Sequence, residues 1–383
     1  MFKFSPFQWS SFNFFGFYCA YGVFLPFFPI WLKHHGYDTD VIGTFVALGY
    51  LFRFSGAMFF SKRVSHPNQL INLNRFLTWA TVVILLVMAW AVDSIWLLLP
   101  VLMLFHIFNG GAMPIGDTIA STWQQQIGLD YGRTRLFGSL AFVIGVISTG
   151  YIVDWFGESV IIGILMGWVV FLGLGLMVNP TRYFDEKAKN KSQDDLSYGQ
   201  LLKNSTTLRM LIVASLIQAS HAAYYAYSTI YWTEQGISTQ NVSLLWGLAV
   251  SAEICFFFFS NRLFKAWKIS HLVILSVIAC VVRWALLATA TNAIALGFIQ
   301  ILHALTYGVG HYAMIRYIAM QPTEQMPKLQ ALYFGSSNCA LMALFTFVAG
   351  FSYQTSPALS FGLMMVFVIP AFLIIPKKFE VKL

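Results

Sequence analysis

The sequence predicts an all-α integral membrane protein: twelve transmembrane helices in two pseudo-symmetric six-helix bundles. Three observations carry that expectation. The first is composition: 58% of the 383 residues are apolar and 10% are charged, against about 25% charged in an ordinary soluble domain. Mean hydropathy is +0.69. The Asp, Glu, Lys and Arg residues are too few to make a polar skin for a soluble core of this length. The second is a set of twelve apolar runs, each near the roughly 20 residues that a helix needs to cross the hydrocarbon. The third is the placement of positive charge between those runs.

In chain order the runs are 8–32, 38–61, 70–91, 95–124, 134–154, 158–178, 208–233, 239–262, 270–290, 293–320, 328–352 and 357–376. The stretch before the first run, Met1–Ser10, is short, and the apolar run after it is too long for a cleavable signal. Nineteen Lys and Arg residues fall in connections on one side: Lys3, Lys62, Arg63, Arg75, Arg133, Arg135, Arg182, Lys187, Lys189, Lys191, Lys203, Arg209, Arg262, Lys265, Lys268, Lys328, Lys377, Lys378 and Lys382. Lys33 alone lies on the other side, and Arg53, Arg283 and Arg316 lie inside runs. Cytoplasmic loops carry the excess of positive charge, so both termini are expected in the cytoplasm, which also requires an even number of spans. The net charge of +8 therefore reports orientation in a bilayer, not nucleic-acid binding.

The longest polar stretch, Asn179–Thr207, divides the chain into an N-terminal bundle over 1–180, a cytoplasmic linker over 181–207 and a C-terminal bundle over 208–383. An internal repeat supports the division. Leu104-Phe105-His106 in run 4 recurs as Ile301-Leu302-His303 in run 10, and Leu136-Phe137-Gly138-Ser139 in run 5 as Tyr333-Phe334-Gly335-Ser336 in run 11, both at an offset of 197. Phe59-Phe60-Ser61 recurs as Phe258-Phe259-Ser260 at 199. Six spans per repeat keep the two halves parallel, a pattern known in secondary transporters.

Several segments resemble one family along essentially the whole chain. They are Tyr21-Gly22-Val23-Phe24-Leu25-Pro26-Phe27-Phe28-Pro29-Ile30-Trp31-Leu32, then Gly36-Tyr37 and Ile42-Gly43, the start of run 5 at Tyr131-Gly132-Arg133-Thr134-Arg135, and Gln330-Ala331-Leu332-Tyr333. The resemblance is to the major facilitator superfamily, and within it to the branch of the phenylpropionate permeases, near the lactose and nucleoside proton symporters. It implies a bacterial inner-membrane proton symporter for a 3-phenylpropionate-like aromatic carboxylate. The connection Ser61-Lys62-Arg63-Val64-Ser65-His66-Pro67 departs from the superfamily's usual Gly-Asp-Arg-rich signature and carries no acid, so no gate salt bridge is implied there.

Ionisable groups inside the runs are the candidates for function, because an ionisable group at mid-membrane costs at least about 2.5–3.5 kcal/mol. Glu253 in run 8 and Arg283 in run 9 fall at similar depth by helical rise. They form either a buried structural ion pair or a proton site in which Arg283 tunes Glu253; a nearby cation favours the carboxylate and burial the acid. His303 on run 10 completes a set that looks like the proton-coupling set of lactose permease. There an acid follows the histidine by three positions; here that position is Thr306, which leaves Glu253 as the proton carrier. Asp117, after Gly110-Gly111-Ala112-Met113-Pro114-Ile115-Gly116, is either a partner of Arg135 or Arg133 or a second proton or substrate site.

Arg53 in run 2 stands 200 positions before Glu253, on a helix that in this fold belongs to the seam between halves. It either binds a substrate carboxylate, which the planar guanidinium fork suits, or locks a salt bridge. Arg316 snorkels toward the cytoplasmic end, and His106 is a packed core histidine. Run 7 carries His221, Tyr224, Tyr225, Tyr227, Tyr231 and Trp232, and run 1 carries Tyr18 and Tyr21. Tyr224, Tyr227 and Tyr231 share a helical face, which suits a flat apolar ring with a polar end, although 17% aromatic residues make tyrosine clusters common and the last two residues suit an interfacial belt. Gln218 and Asn13 add hydrogen-bonding capacity.

Cys19, Cys255, Cys280 and Cys339 lie in apolar segments without metal-type spacing. No nucleotide loop or catalytic triad is present, and Gly308-Val309-Gly310 lacks the strand context of a phosphate loop. The expectation is a monomeric transporter, not an enzyme, with no cofactor and with the proton gradient as energy source. Its partners are a small-molecule substrate, protons and the lipid bilayer. A sugar or nucleoside symporter, a proton-driven exporter and a non-transporting sensor or scaffold remain open alternatives.

Overall fold

A backbone in hydrocarbon must satisfy its own N–H and C=O groups, so each apolar run resolves into helix. The computed structural model describes residues 3–64, 66–184, 197–322 and 325–376, with Asn261 as backbone only. Part of the expected linker, 185–196, lies outside the described residues, as do 377–383. The helices are α1 (Pro6–His34), α2 (Thr39–Arg63), α3 (Gln69–Ala91), α4 (Ile95–Ile127), α5 (Tyr131–Phe156), α6 (Ile161–Leu176), α7 (Tyr198–Lys203), α8 (Ser205–Ala219), α9 (Ala222–Glu234), α10 (Thr239–Phe264), α11 (Ile269–Leu287), α12 (Ala293–Ile301), α13 (Val309–Ala319), α14 (Met326–Gly335), α15 (Leu341–Thr355), α16 (Pro357–Val368) and α17 (Ala371–Ile374).

Eleven helical segments among the described residues are long and apolar enough to cross a membrane. The seventh expected run is not one helix. It breaks at Ser220 and His221 into α8 and α9, of 15 and 13 residues. Side chains explain the break. Ser220 Oγ donates to Ile217 O at 2.7 Å, and His221 Nδ1 lies 3.0 Å and 3.2 Å from the carbonyls of Ile217 and Gln218. Such local side-chain bonds compete with the helical ladder and satisfy the carbonyls it leaves.

Two further runs carry a π-helical turn. Ala304–Gly308 joins α12 to α13, and Ser336–Ala340 joins α14 to α15. The Thr306 carbonyl in the first turn accepts from Ser276 Oγ of α11 at 2.7 Å. Wide turns of this kind recur at functional sites.

By internal contacts the chain forms two compact units. One comprises Met1–Asp38, Leu48–Lys189 and Gly236–Gly247. In it α1 packs chiefly on α5 and α6, and α3 on α4 and α6. The α1–α5 crossing is close because of Gly22, where a Cβ would stand 2.6 Å from Phe142 O. The other unit comprises Thr39–Ala47, Asn190–Gln235 and Leu248–Leu383, with α11 packed on α13 and α16, and α15 on α9 and α16.

Candidate functional site

In the second unit, Arg283 on α11 is the centre of a buried polar cluster, itself 0% exposed. Its Nη1 donates to His303 Nδ1 at 3.0 Å and to Thr306 Oγ1 at 3.1 Å, and its Nη2 to Gln300 Oε1 at 3.0 Å. The guanidinium lies over the rings of Tyr224 and Trp284, 4.5 Å and 4.9 Å from their centroids. Glu253 on α10 does not take the guanidinium directly. Its Oε2 lies 3.3 Å from His303 Nε2, so the imidazole stands between acid and base. The expected Glu253–Arg283 pairing is thus replaced by a line of three groups.

Hydrogen-bond roles in that line follow from what each group is able to do. Arginine only donates, so His303 Nδ1 is the acceptor of the Arg283 bond. The proton of the neutral ring therefore sits on Nε2, aimed at the Glu253 carboxylate. A second proton on His303 would set two N–H groups against each other, so the proton that such a line gains goes to the Glu253 oxygen. With Glu253 ionised the pair sums to zero charge; with Glu253 protonated the buried cluster is left at one positive charge.

Thr306 is the hub. Its Oγ1 also lies 3.0 Å from His221 Nε2. His221 Nδ1 donates to backbone carbonyls, so Nε2 accepts and the threonine hydroxyl donates. Trp284 Nε1 donates to Ser220 Oγ at 3.0 Å, which ties the break between α8 and α9 to the same cluster. Further along α13, His311 Nδ1 lies 3.3 Å from the Tyr333 hydroxyl, which accepts from Gln218 Nε2 at 3.0 Å. The rings of His303, Tyr307 and His311 stack in sequence along one face.

The tyrosines of α9 do not form one exposed wall. Tyr224 and Tyr227 are both 0% exposed. Tyr224 covers Arg283; Tyr227 stacks on Tyr353 and donates to Thr39 O at 2.8 Å. Tyr231 packs on Phe361. Tyr225 stays half-buried, stacked on His221.

The first unit holds a second arrangement. Arg135 on α5 meets Asp117 on α4 at 3.7 Å, and the Tyr131 hydroxyl donates to the same carboxylate oxygen at 3.0 Å. Arg133 instead pairs with Asp130 at the surface. Arg135 lies over the rings of Tyr18 and Phe14, and Arg53 over Tyr21 at 4.8 Å. Asn13 accepts from Asn74 Nδ2 at 2.8 Å in the core. His106 packs against Gly49 and among Phe24 and Phe105, and its Nε2 is buried without a hydrogen-bond partner.

These elements match known transporters over nearly the whole chain. A profile described as the MFS_1 like family matches residues 7–363. The chain belongs to that family. It is 36% identical over 371 residues to the Probable 3-phenylpropionic acid transporter of Escherichia coli (strain K12), covering 97% of each protein. It is 24% identical over 200 residues to the Uncharacterized transporter YwbF of Bacillus subtilis (strain 168), about half of each chain. Among solved structures, the nucleoside transporter NupG superposes with a TM-score of 0.77 at 12% identity, covering 97% of each chain. PepTSo of the POT family does so with 0.70 at 12%. Those structural likenesses establish the fold, that of the major facilitator superfamily. This MFS_1-like protein is a multi-pass membrane transporter, not an enzyme.

Sequence reasoning singled out Glu253, Arg283 and His303, and this transporter brings all three together. It missed Gln300 and gave Thr306 only a negative role. The signal was present: Gln300, His303 and Thr306 recur every three residues, a spacing that makes successive members neighbours on a helix surface. Thr306 supplies Arg283 with an oxygen at the position where the resemblance led one to look for a carboxylate. Arg316, expected to snorkel, instead donates to the carbonyls of Phe264 and Trp267, both at 3.0 Å, and so caps the end of α10.

Proposed function

We propose that this transporter carries a small aromatic carboxylate of the 3-phenylpropionate class together with a proton, by alternating access. In this reading Glu253 takes and releases the proton, His303 holds it in line and Arg283 fixes the tautomer of His303. The observation that carries the coupling is the 3.3 Å approach of Glu253 to a histidine whose other nitrogen is committed to Arg283. The substrate class is supported by the E. coli relative, whose printed name is a probable 3-phenylpropionic acid transporter. In the same reading the protein works in a bacterial inner membrane as a monomer with both termini in the cytoplasm. Its halves span 1–180 and 208–383, joined by a linker over 181–207. The proton gradient is its energy source, and it uses no cofactor.

Uptake of labelled 3-phenylpropionate into proteoliposomes, with an inward proton gradient imposed, tests the reading. Wild-type protein should concentrate label inside above the external level, and Glu253→Gln should do no more than equilibrate it. Competition by unlabelled nucleosides or galactosides in place of phenylpropionate would move the substrate to those classes. Efflux driven by the inward gradient would make the protein an exporter. Uptake indifferent both to the gradient and to Glu253→Gln would end the coupling proposal.

A further inference from the structure

We infer that the substrate carboxylate is bound in the first unit, by Arg53 and the Tyr18 hydroxyl, at the place now held by the thioether of Met113. The inference rests on the reading above that the substrate is a carboxylate. Arg53 Nη2 and Tyr18 Oη both donate to Met113 Sδ, each at 3.8 Å. A thioether sulfur is a weak acceptor. Two strong donors, one of them a cation, therefore converge on one weak acceptor, with the Tyr18 hydroxyl also bonded to Arg135. Both lie within reach of one sulfur, so one carboxylate bridges them, with charge-assisted bonds of roughly 2.8 Å to each oxygen. Methionine is unbranched and flexible, so its side chain turns aside at low cost.

The surroundings suit the rest of such a ligand. Tyr21 lies under the Arg53 guanidinium, with Tyr18 edge-on to it and Phe142 beside it, ring centroids 6.2 Å and 6.0 Å away. Arginine, unlike lysine, lies over an aromatic ring and still offers N–H groups to a planar carboxylate. Asp117 neutralises Arg135 nearby, so the group of Arg53, Arg135 and Asp117 keeps one net positive charge. Arg53, Tyr18 and Tyr21 are half-buried and thus reachable, whereas Arg283 is wholly buried with three bonds made.

Arg53 is also held in place. A Cβ on Gly110 of α4 would run into the Arg53 backbone oxygen and stand 2.7 Å from its Cα and Cγ, and one on Gly56 would meet the Ile107 carbonyl. These glycines let α2 lie directly on α4, which fixes the base of the Arg53 side chain. A site on rigid elements binds without a large ordering cost.

Equilibrium binding to the purified full-length protein separates the possibilities, with 3-phenylpropionate and its uncharged amide as paired probes. Arg53→Gln should weaken the carboxylate at least about tenfold, the loss expected for a hydrogen-bonded charge, and should change the amide much less. Arg53→Lys should fall between the two, because it keeps the charge without the fork. Tyr18→Phe should weaken the carboxylate severalfold with no change in the thermal melting of the protein. Wild type and Arg53→Gln binding the carboxylate equally, while Tyr18→Phe also binds normally, overturns the assignment and leaves the carboxylate reading intact. Wild type that binds neither probe defeats the carboxylate reading itself, and this inference with it.

Discussion

Thr306→Val tests the buried cluster with the least change in shape. The side chain is 0% exposed. Valine keeps its outline and removes one oxygen that accepts from Arg283 Nη1 at 3.1 Å and donates to His221 Nε2 at 3.0 Å. Both bonds run between separate helical segments. Interhelical hydrogen bonds in membrane proteins average about 0.6 kcal/mol and reach about 1.7, and one to a guanidinium belongs near the upper end. The sum is about 2 kcal/mol, a drop of about 2–3 °C in midpoint for a chain of 383 residues. Thr306→Ser keeps both bonds and loses one methyl, worth about 0.8 kcal/mol by transfer. The assay is thermal unfolding of the purified protein in detergent at one fixed scan rate, since unfolding of such proteins is commonly irreversible. The expected order is wild type, then serine, then valine. Valine equal to wild type, or serine below valine, would refute the assignment of Thr306 as the hub.

With proton and substrate moving inward together, wild-type uptake should rise as external pH is lowered at fixed internal pH. Glu253→Gln should flatten that response while still exchanging labelled for unlabelled substrate. One carboxyl carrying one proton beside one carboxylate moves no net charge, so a potassium diffusion potential at equal pH should not drive uptake; potential-driven uptake would require more than one proton. Gly110→Ala should overpack the α2–α4 contact and cost about 1–3 kcal/mol, visible as a lower melting midpoint. For orientation, Asp38→Cys should react with a membrane-impermeant maleimide on intact cells, and Lys203→Cys only after permeabilisation.

The spans were legible because length and apolarity decide them, and charge in the loops was strong enough to fix the expected orientation. The break after Ala219 was not. Serine and histidine occur within many straight helices, and what ends this one is a pair of bonds to its own last carbonyls plus Trp284 reaching from α11. The wide turn at Ala304–Gly308 depends likewise on Ser276, thirty positions away, to satisfy the freed carbonyl of Thr306. Glu253, Arg283 and His303 stood out because charge in an apolar run is costly. Their order in space, with the imidazole in the middle, depends on side-chain reach that spacing alone does not specify. The spacing of Tyr224, Tyr227 and Tyr231 was plain in the sequence, yet what covers them is Arg283, Tyr353 and Phe361, on elements distant in sequence.

The two units hold their membrane arginines in different ways, and the difference bears on which acid moves a proton. Asp117 touches Arg135 at 3.7 Å and also accepts from Tyr131. A proton arriving there would cancel a direct ion pair and a hydrogen bond together. Glu253 meets Arg283 only across the His303 ring, through contacts of 3.3 Å and 3.0 Å. The full separation is roughly 8 Å, and because Coulomb attraction falls inversely with distance, the attraction that a proton would cancel is about half that of the direct pair at equal dielectric. The neutral imidazole keeps its bond to Arg283 in either state, and its Nε2 proton still has a carbonyl oxygen of the protonated acid to meet. The proposed protonation of Glu253 thus leaves its surroundings standing, whereas a proton on Asp117 would break both of its contacts. In the proposed coupling a carboxyl that cycles once per transport event needs a neighbour that orients it without locking it, and that role falls to His303.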